Sequence, residues 1–217
     1  MDEDFKKNIL KTGTTILGIV CKDGVVMASD RQITAGTLIV GKKYPKTVQI
    51  NDYLLMSFTG SVSDAQRVVK ILPAELKLKE LRTKSRPTVG QAANLLSTIL
   101  YSGARQGGMM VGNLIGGLNS DGSAELYTIE PAGSVIKVED YDANFGSGMP
   151  FVLGLLERQY KKGIIVKEGV ELAQEAIKSS TQRDVGSGFG IDVFTITKEG
   201  IKKVVEQVIE PIFKDKQ

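Results

Sequence analysis

Residues 14–31, TTILGIVCKDGVVMASDR, decide how the fold begins. Two apolar runs rich in β-branched residues, residues 14–21 and 25–28, flank the turn formers Asp23 and Gly24. Runs of this kind on either side of an Asp-Gly pair predict a β-hairpin, with strands that favour burial. Taken alone, Thr14 would then be an unremarkable first residue of a strand.

Beyond this hairpin the chain alternates between strand and helix signals in blocks. These elements are predicted in chain order: a hairpin over 47–58, helices begun by the capping pairs Ser63/Gln66 and Thr88/Gln91, strands over 109–115, 125–129 and 135–138, helices over 150–160 and 167–181, and strands over 191–196 and 201–208. Pro73 is a potential kink in the first helix. Because the strict βαβ alternation of a parallel sheet is missing, we predict an α+β fold of four layers, an αββα sandwich of two antiparallel sheets flanked by helices.

Composition and charge argue against several functional classes. The 217-residue chain has a net charge of +3 with its lysines scattered among acids, and only 6% of its residues are aromatic, which disfavours nucleic-acid binding. No run approaches the roughly 20 apolar residues of a membrane helix, and the first residues lack the apolar stretch of a secretory signal, so we expect no membrane and a cytoplasmic protein. Nucleotide fingerprints and metal-ligand spacings are also missing, so we expect no cofactor and no metal.

The chain has one cysteine and no histidine. Cys21 lies within an apolar run and is predicted to be a buried strand thiol rather than a nucleophile. The absence of histidine removes Ser-His-Asp and Cys-His mechanisms and histidine zinc sites. Any hydrolase chemistry therefore needs another base.

Several separated motifs share an order and spacing that point to one family. Residues 14–31 open with Thr-Thr-x-x-Gly, continue with Asp-Gly-Val and end near an acid, Asp30. Lys46, Gly60, the Gly-Ser-Gly run at 146–148 and the Gln-Arg-Asp run at 182–184 follow, with Ser187 and Asp192 after them. Together they resemble the β subunits of 20S proteasomes of the archaeal type, over about residues 14–208. The resemblance implies the αββα sandwich of N-terminal nucleophile hydrolases, which agrees with the layer order predicted above.

The resemblance also implies a threonine endopeptidase whose nucleophile is the Thr14 hydroxyl. Residues 1–13 would form a propeptide, removed by autocatalytic cleavage between Gly13 and Thr14, and residues 14–217 a single catalytic domain. While that bond is intact, the nitrogen of Thr14 is a planar amide and cannot act as a base. The α-amine released by cleavage is the base that a histidine-free site needs.

The other site residues follow from the resemblance one by one. Lys46 is expected beside the Thr14 hydroxyl, held charged by Asp30, and the N–H of Gly60 is the expected oxyanion-hole donor. Three residues are expected to order the amine of Thr14: Ser147, Asp184 and Ser187. The substrate pocket is expected to be mainly apolar, with cleavage after hydrophobic residues, and to be lined by Ile33, Thr34, Tyr44, Val48, Phe58 and Val62.

Partners are implied by the same resemblance. β subunits form seven-membered rings that stack back to back and are capped by rings of α subunits, as α7β7β7α7. Unfolded protein substrates would be threaded in by an ATP-dependent activator that docks on the α ring, so that the β subunit itself needs no nucleotide.

Three alternatives stay open. The first is a β subunit that keeps its propeptide and is a catalytically silent, structural part of the same particle. The second is a bacterial HslV-type peptidase, which the length of the chain and the additional supporting aspartate and serine disfavour. The third is a nonenzymatic binding module, for which the whole set of matching residues would be coincidence.

Overall fold

The computed structural model describes residues 13–106, 108–210 and 212, so the predicted propeptide lies outside it except for Gly13. The elements are, in chain order, β1 (Ile16–Cys21), β2 (Gly24–Asp30), β3 (Ile33–Ala35), β4 (Leu38–Gly41), β5 (Thr47–Gln49), β6 (Leu54–Gly60), α1 (Val62–Thr83), α2 (Val89–Gln106), β7 (Val111–Leu118), β8 (Ala124–Ile129), β9 (Val135–Val138), β10 (Tyr141–Asp142), α3 (Met149–Gln159), α4 (Val166–Thr181), β11 (Gly190–Thr197) and β12 (Gly200–Val208).

The predicted first hairpin forms the middle of a five-stranded antiparallel sheet. Its strands β1 and β2 pair with Cys21 opposite Gly24, so Lys22 and Asp23 make the turn and Gly24 opens the second strand. The expected Asp-Gly turn is therefore shifted by one residue. Glycine is needed at position 24 for another reason, because a Cβ there would lie 2.1 Å from the carbonyl oxygen of Ile196 on β11.

Two sheets and two helix pairs build the predicted four layers. The first sheet has the order β10-β1-β2-β11-β12 and the second has the order β5-β6-β7-β8-β9, with antiparallel neighbours throughout. A separate hairpin, β3 with β4, stands beside them. The α+β class and the αββα order are thus confirmed.

Three apolar clusters hold the layers together. Met27, Leu55 and Leu114 belong to the cluster between the two sheets, where their side chains are fully buried. A second cluster packs α1 and α2 on the second sheet, and a third packs α3 and α4 on the first sheet. Each sheet is therefore covered on both faces, and burial of this apolar surface is the main contribution to the stability of the fold.

The helix boundaries confirm one capping prediction and correct another. Thr88 and Gln91 exchange two hydrogen bonds, from the Gln91 N–H to the Thr88 Oγ (3.1 Å) and from the Thr88 N–H to the Gln91 Oε1 (3.2 Å), as a capping box requires. Helix α1, in contrast, is capped by Ser61 rather than Ser63. The Ser61 Oγ accepts from the N–H of Asp64, whereas the Ser63 hydroxyl bonds the hydroxyl of Ser61.

Pro73 neither ends nor breaks helix α1, which has 22 residues in all. A proline inside a helix removes one backbone hydrogen bond and crowds the preceding turn. Leu72 and Leu76 on either side of it are buried against the second sheet, and this packing holds the helix together across the proline.

Candidate active site

Thr14 lies two residues before the start of β1 and is almost entirely buried. Its hydroxyl donates to the carbonyl oxygen of Gly13 at 2.6 Å, and its N–H donates to the Oγ of Ser147 at 3.0 Å. The hydroxyl therefore contacts the carbonyl group of the peptide bond that joins Gly13 to Thr14.

A buried ion pair stands beside this bond. The ammonium group of Lys46, just before β5, lies 2.6 Å from the Oδ1 of Asp30 at the end of β2, and 3.5 Å from the carbonyl oxygen of Gly13. Burial is the strongest influence on both groups, and it raises the pKa of Asp30 and lowers the pKa of Lys46. The attraction between the two opposite charges opposes both shifts.

Three backbone groups fix the carboxylate of Asp30. The N–H of Thr15 donates to Oδ1 at 2.8 Å, and the N–H groups of Gln32 and Gly188 donate to Oδ2 at 2.9 and 3.1 Å. Hydrogen bonds of this kind favour the ionised carboxylate. Asp30 is thus held by three different segments of the chain, and it orients Lys46 towards Gly13.

A chain of hydroxyl groups connects Thr14 to the loop after α4. The carboxylate of Asp184 accepts from the hydroxyls of Ser147 at 2.6 Å and Ser187 at 2.5 Å. The hydroxyls of Ser187 and Thr15 lie 2.6 Å apart. Ser147 contacts Thr14 directly, whereas Ser187 is linked to it through Asp184 and through Thr15.

The Gly-Ser-Gly run places Ser147 by bringing its backbone against the first strand. A Cβ on Gly146 would lie 2.4 Å from the carbonyl oxygen of Thr14, and a Cβ on Gly148 would lie 1.8 Å from the hydroxyl oxygen of Thr15. Only glycine allows this approach. The run is also held by a backbone bond from the N–H of Gly148 to the carbonyl of Thr14, 3.2 Å.

Gly60, the expected oxyanion-hole residue, ends β6 and lines the same small cavity as Thr14. Its φ of +99° lies in a region that side chains disfavour, and a Cβ there would lie 2.3 Å from the carbonyl oxygen of Met110. Glycine is therefore required at this position by the backbone itself.

The predicted pocket residues fall into three groups. Four line the small cavity at Thr14: Ile33, Tyr44, Phe58 and Val62. Thr34 lines a larger cleft of about 580 Å³ that shares Ile33, Gly60 and Val62 with the small cavity, and its hydroxyl accepts from the N–H of Gly13 at 2.6 Å. Val48 lines neither space and packs against the core between the second sheet and its helices.

Two buried residues outside the predicted catalytic and pocket residues support the loops of the site. The side-chain amide of Gln32 donates to the carbonyl of Val185 at 2.7 Å. Asn144, with a φ of +46°, donates to the Oγ of Thr128 at 2.6 Å and accepts from the N–H of Phe145 at 2.7 Å, which anchors the run that carries Ser147. No local pattern announces either role, because both depend on contacts between distant segments.

Cys21 is free and buried, as predicted. Burial, together with the nearby carboxylates of Asp23 and Glu168, raises the pKa of its thiol to about 12. At neutral pH the sulfur is therefore protonated, which makes it a poor nucleophile.

Within the ranges 13–106 and 108–210, no three histidine, cysteine, aspartate or glutamate side chains are grouped so that they could hold a metal ion. None of the helices in the described part of the chain is both long and apolar enough to cross a membrane.

Known proteins resemble this chain over most of its length. The family model described as "Proteasome subunit" matches residues 10–196. A proteasome subunit beta of Nanoarchaeum equitans is 42% identical over 88% of this chain and 96% of its own length. The corresponding subunit of Methanopyrus kandleri is 40% identical over 94% and 96% of the two chains, and proteasome subunit beta 1 of Thermococcus kodakarensis is 41% identical over 92% and 96%. The chain therefore belongs to the proteasome subunit family.

Proposed function

We propose that this chain is a threonine-type endopeptidase subunit of a proteasome core, and that Thr14 is its nucleophile once the Gly13–Thr14 bond has been cut. One observation carries the proposal: the hydroxyl of Thr14 lies 2.6 Å from the carbonyl oxygen of Gly13, and the ammonium group of Lys46 lies 3.5 Å from the same oxygen. The nucleophile and a positive charge therefore both lie at the bond to be cut.

This geometry supports cleavage of the propeptide by Thr14 itself. The Thr14 oxygen attacks the carbonyl carbon of Gly13, and negative charge develops on the carbonyl oxygen next to Lys46. The carbon–nitrogen bond then breaks as the nitrogen takes up the proton that the hydroxyl has lost, which leaves Gly13 as an ester on the Thr14 oxygen and frees the amine. Water hydrolyses the ester, so that residues 1–13 leave with a carboxylate. Residues 1–12 lie outside the described residues, and their removal is part of the proposal.

The freed amine of Thr14 serves as the base for substrate cleavage. An α-amine has an ordinary pKa of about 7.7 to 8.0, so a useful fraction is neutral near pH 7. Ser147, which contacts the Thr14 nitrogen and is held by Asp184, orients the amine. The amine accepts the proton of the Thr14 hydroxyl while that oxygen attacks the substrate carbonyl, and water later releases the acyl group.

Lys46 and Gly60 stabilise the charges that develop during this reaction. Lys46 and the Thr14 hydroxyl both contact the carbonyl oxygen of Gly13, and a buried ammonium group at that position favours the alkoxide form of the hydroxyl. Asp30 keeps that ammonium group in place. The N–H of Gly60 donates to the oxyanion of the tetrahedral intermediate, a role in which one donor contributes roughly 3 to 4 kcal/mol. Ser187 acts on Thr14 indirectly, through its hydrogen bonds with Asp184 and Thr15.

The substrate side chain before the cut bond lies against Ile33 and Val62, two apolar residues that line both the small cavity at Thr14 and the larger cleft beside it. We therefore propose cleavage after hydrophobic residues. The similarity to archaeal β subunits supports assembly with α subunits and with other β subunits in seven-membered rings. Within that assembly, unfolded proteins delivered through the α ring would be the substrates.

Peptide hydrolysis by the assembled particle tests this function. Wild-type particles are expected to cleave fluorogenic peptides that end in an apolar residue, and Thr14→Ala particles to lose that activity completely. Thr14→Ser keeps a hydroxyl on the same carbon and is expected to retain measurable activity. Equal rates for wild type and Thr14→Ala, in particles without another active β subunit, would contradict the proposal.

A further inference from the structure

Gly13 and Gly186 are packed backbone against backbone beside the bond that is to be cut. A Cβ built on Gly186 would lie 2.4 Å from the Cα of Gly13, and a Cβ built on Gly13 would lie 2.1 Å from the Cα of Gly186. Side-chain carbons do not approach other carbons so closely, so neither residue has room for even a methyl group. The contact therefore demands glycine on both sides.

Gly186 does not need to be glycine for the sake of its own backbone. It is not among the described glycines with a positive φ, so its conformation is open to any residue. The nearest obstacles to a side chain at this position are two atoms of Gly13 and the hydroxyl oxygen of Ser147, 2.7 Å away. A hydroxyl group can rotate, whereas the backbone of Gly13 cannot yield without moving the bond itself.

Gly13 is held on its other sides by the site. Its N–H donates to Thr34, and its carbonyl oxygen accepts from Thr14 and lies within reach of Lys46. The loop that carries Gly186 is fixed as well, because the N–H of Gly186 donates to Asp184 at 3.1 Å. Gly186 therefore contacts Gly13 on its remaining side and closes the space that holds it.

We propose that Gly186 is a positioning residue for propeptide cleavage and that peptide hydrolysis by the mature subunit depends on it much less. This inference rests on the proposed function. In the cleavage step one water is consumed and the Gly13–Thr14 carbon–nitrogen bond breaks, so that Gly13 departs with the carboxylate and Thr14 keeps the amine. Once Gly13 has left, a methyl group on Gly186 no longer meets a backbone, and the Ser147 hydroxyl is the one remaining obstacle among its three nearest atoms.

The test is Gly186→Ala in the full-length chain, assembled into particles. A methyl group would displace Gly13 by about 1 Å, and a misplacement of that size can slow a reaction about a hundredfold. We expect the subunit beginning at Thr14 to form about a hundredfold more slowly than in wild type, as measured by mass spectrometry over time. Peptide hydrolysis per subunit that begins at Thr14 should fall by about tenfold at most, because the methyl group turns the Ser147 hydroxyl without removing it.

Two further variants make the result decisive. Gly154→Ala, on α3, is the matched control, because a Cβ there meets nothing within 4 Å, and it should be processed at the wild-type rate. Gly13→Ala probes the same contact from the other side and should also slow processing, although its mature product is identical to wild type. If Gly186→Ala yields no product beginning at Thr14, a carrier fusion cut directly before Thr14 supplies the mature variant.

The outcomes separate this inference from the proposed function. Wild-type particles that never form a subunit beginning at Thr14 would overturn both. Normal wild-type processing with equally fast processing of Gly186→Ala would overturn the inference alone. Equal losses of processing and of hydrolysis per mature subunit would also overturn it, because they would indicate general damage around Ser147.

Discussion

The ammonium nitrogen of Lys46 lies 2.6 Å from the Oδ1 of Asp30, and both side chains are almost completely excluded from solvent. Transfer of two charges from water into such a site is costly, and the cost is recovered only when each charge keeps its partner. Removal of one partner should therefore affect stability as well as activity.

The first prediction concerns this pair. Asp30→Asn leaves Lys46 as an unpaired buried cation, which should destabilise the subunit by about 3 to 5 kcal/mol. The midpoint of unfolding in denaturant measures the change. Glu80→Gln is the control, because Lys77 and Glu80 form an exposed pair on α1 whose loss should leave the midpoint unchanged. Wild-type stability of Asp30→Asn would contradict the role of the buried pair.

The second prediction separates Ser147 from Ser187. Ser147 contacts the Thr14 nitrogen and is exposed, so Ser147→Ala should lower kcat about tenfold to a hundredfold with little change in stability. Ser187 is buried and reaches Thr14 only through Asp184 and Thr15, so Ser187→Ala should lower stability more and activity less. Peptide hydrolysis and thermal unfolding of both variants provide the comparison. A larger loss of kcat in Ser187→Ala would reverse this ranking.

The third prediction concerns substrate preference. Val62 lines both the small cavity at Thr14 and the larger cleft beside it, so its side chain should meet the substrate residue before the cut bond. Val62→Lys should raise the rate of cleavage after glutamate relative to leucine by about tenfold, because a pocket cation pairs with the acid. Val62→Thr, which has a similar shape, should shift the ratio much less. An unchanged ratio in Val62→Lys would place this substrate residue elsewhere.

The fourth prediction follows from the pKa of Cys21, which burial raises to about 12 from an ordinary value of 9.0. At pH 8 the folded thiol should carry about a thousandfold less thiolate than the unfolded one, and alkylation should be correspondingly slow. Mass spectrometry after iodoacetamide treatment, with and without denaturant, measures this. The folded chain keeps a proton that the unfolded chain releases between pH 9 and 12, so stability should fall as the pH rises through that range. Rapid labelling of the folded subunit at pH 8 would contradict the burial of this thiol.

Most of the strand and helix order could be predicted, because periodicity and capping are local signals. The Thr88/Gln91 capping box predicts the start of α2, and the apolar run before Lys22 predicts β1, each from a few neighbouring residues. Strands β3, β4 and β10 were missed because they are two to four residues long and carry no periodicity. The cap of α1 was misplaced because Ser61 and Ser63 offer the same chemistry two residues apart.

The residues of the candidate site also divide into those that the sequence predicts and those whose role depends on the fold. Thr14, Asp30 and Lys46 could be named from spacing and family resemblance, and the structure brings them together around Gly13. Gln32 contacts Val185 across 153 positions of sequence, so its role depends on how the first sheet packs against the loop after α4. The contact of Gly186 with Gly13 is likewise invisible in sequence, because glycine has many other uses in a loop.

We propose above that the Thr14 hydroxyl cuts the Gly13–Thr14 bond. The mass of the subunit in assembled particles is the most direct test of this cleavage. We expect a wild-type subunit that begins at Thr14 and lacks residues 1–13, and a Thr14→Ala subunit that keeps them. A wild-type subunit that still begins at Met1 would instead indicate a silent, structural β subunit and would contradict the claim.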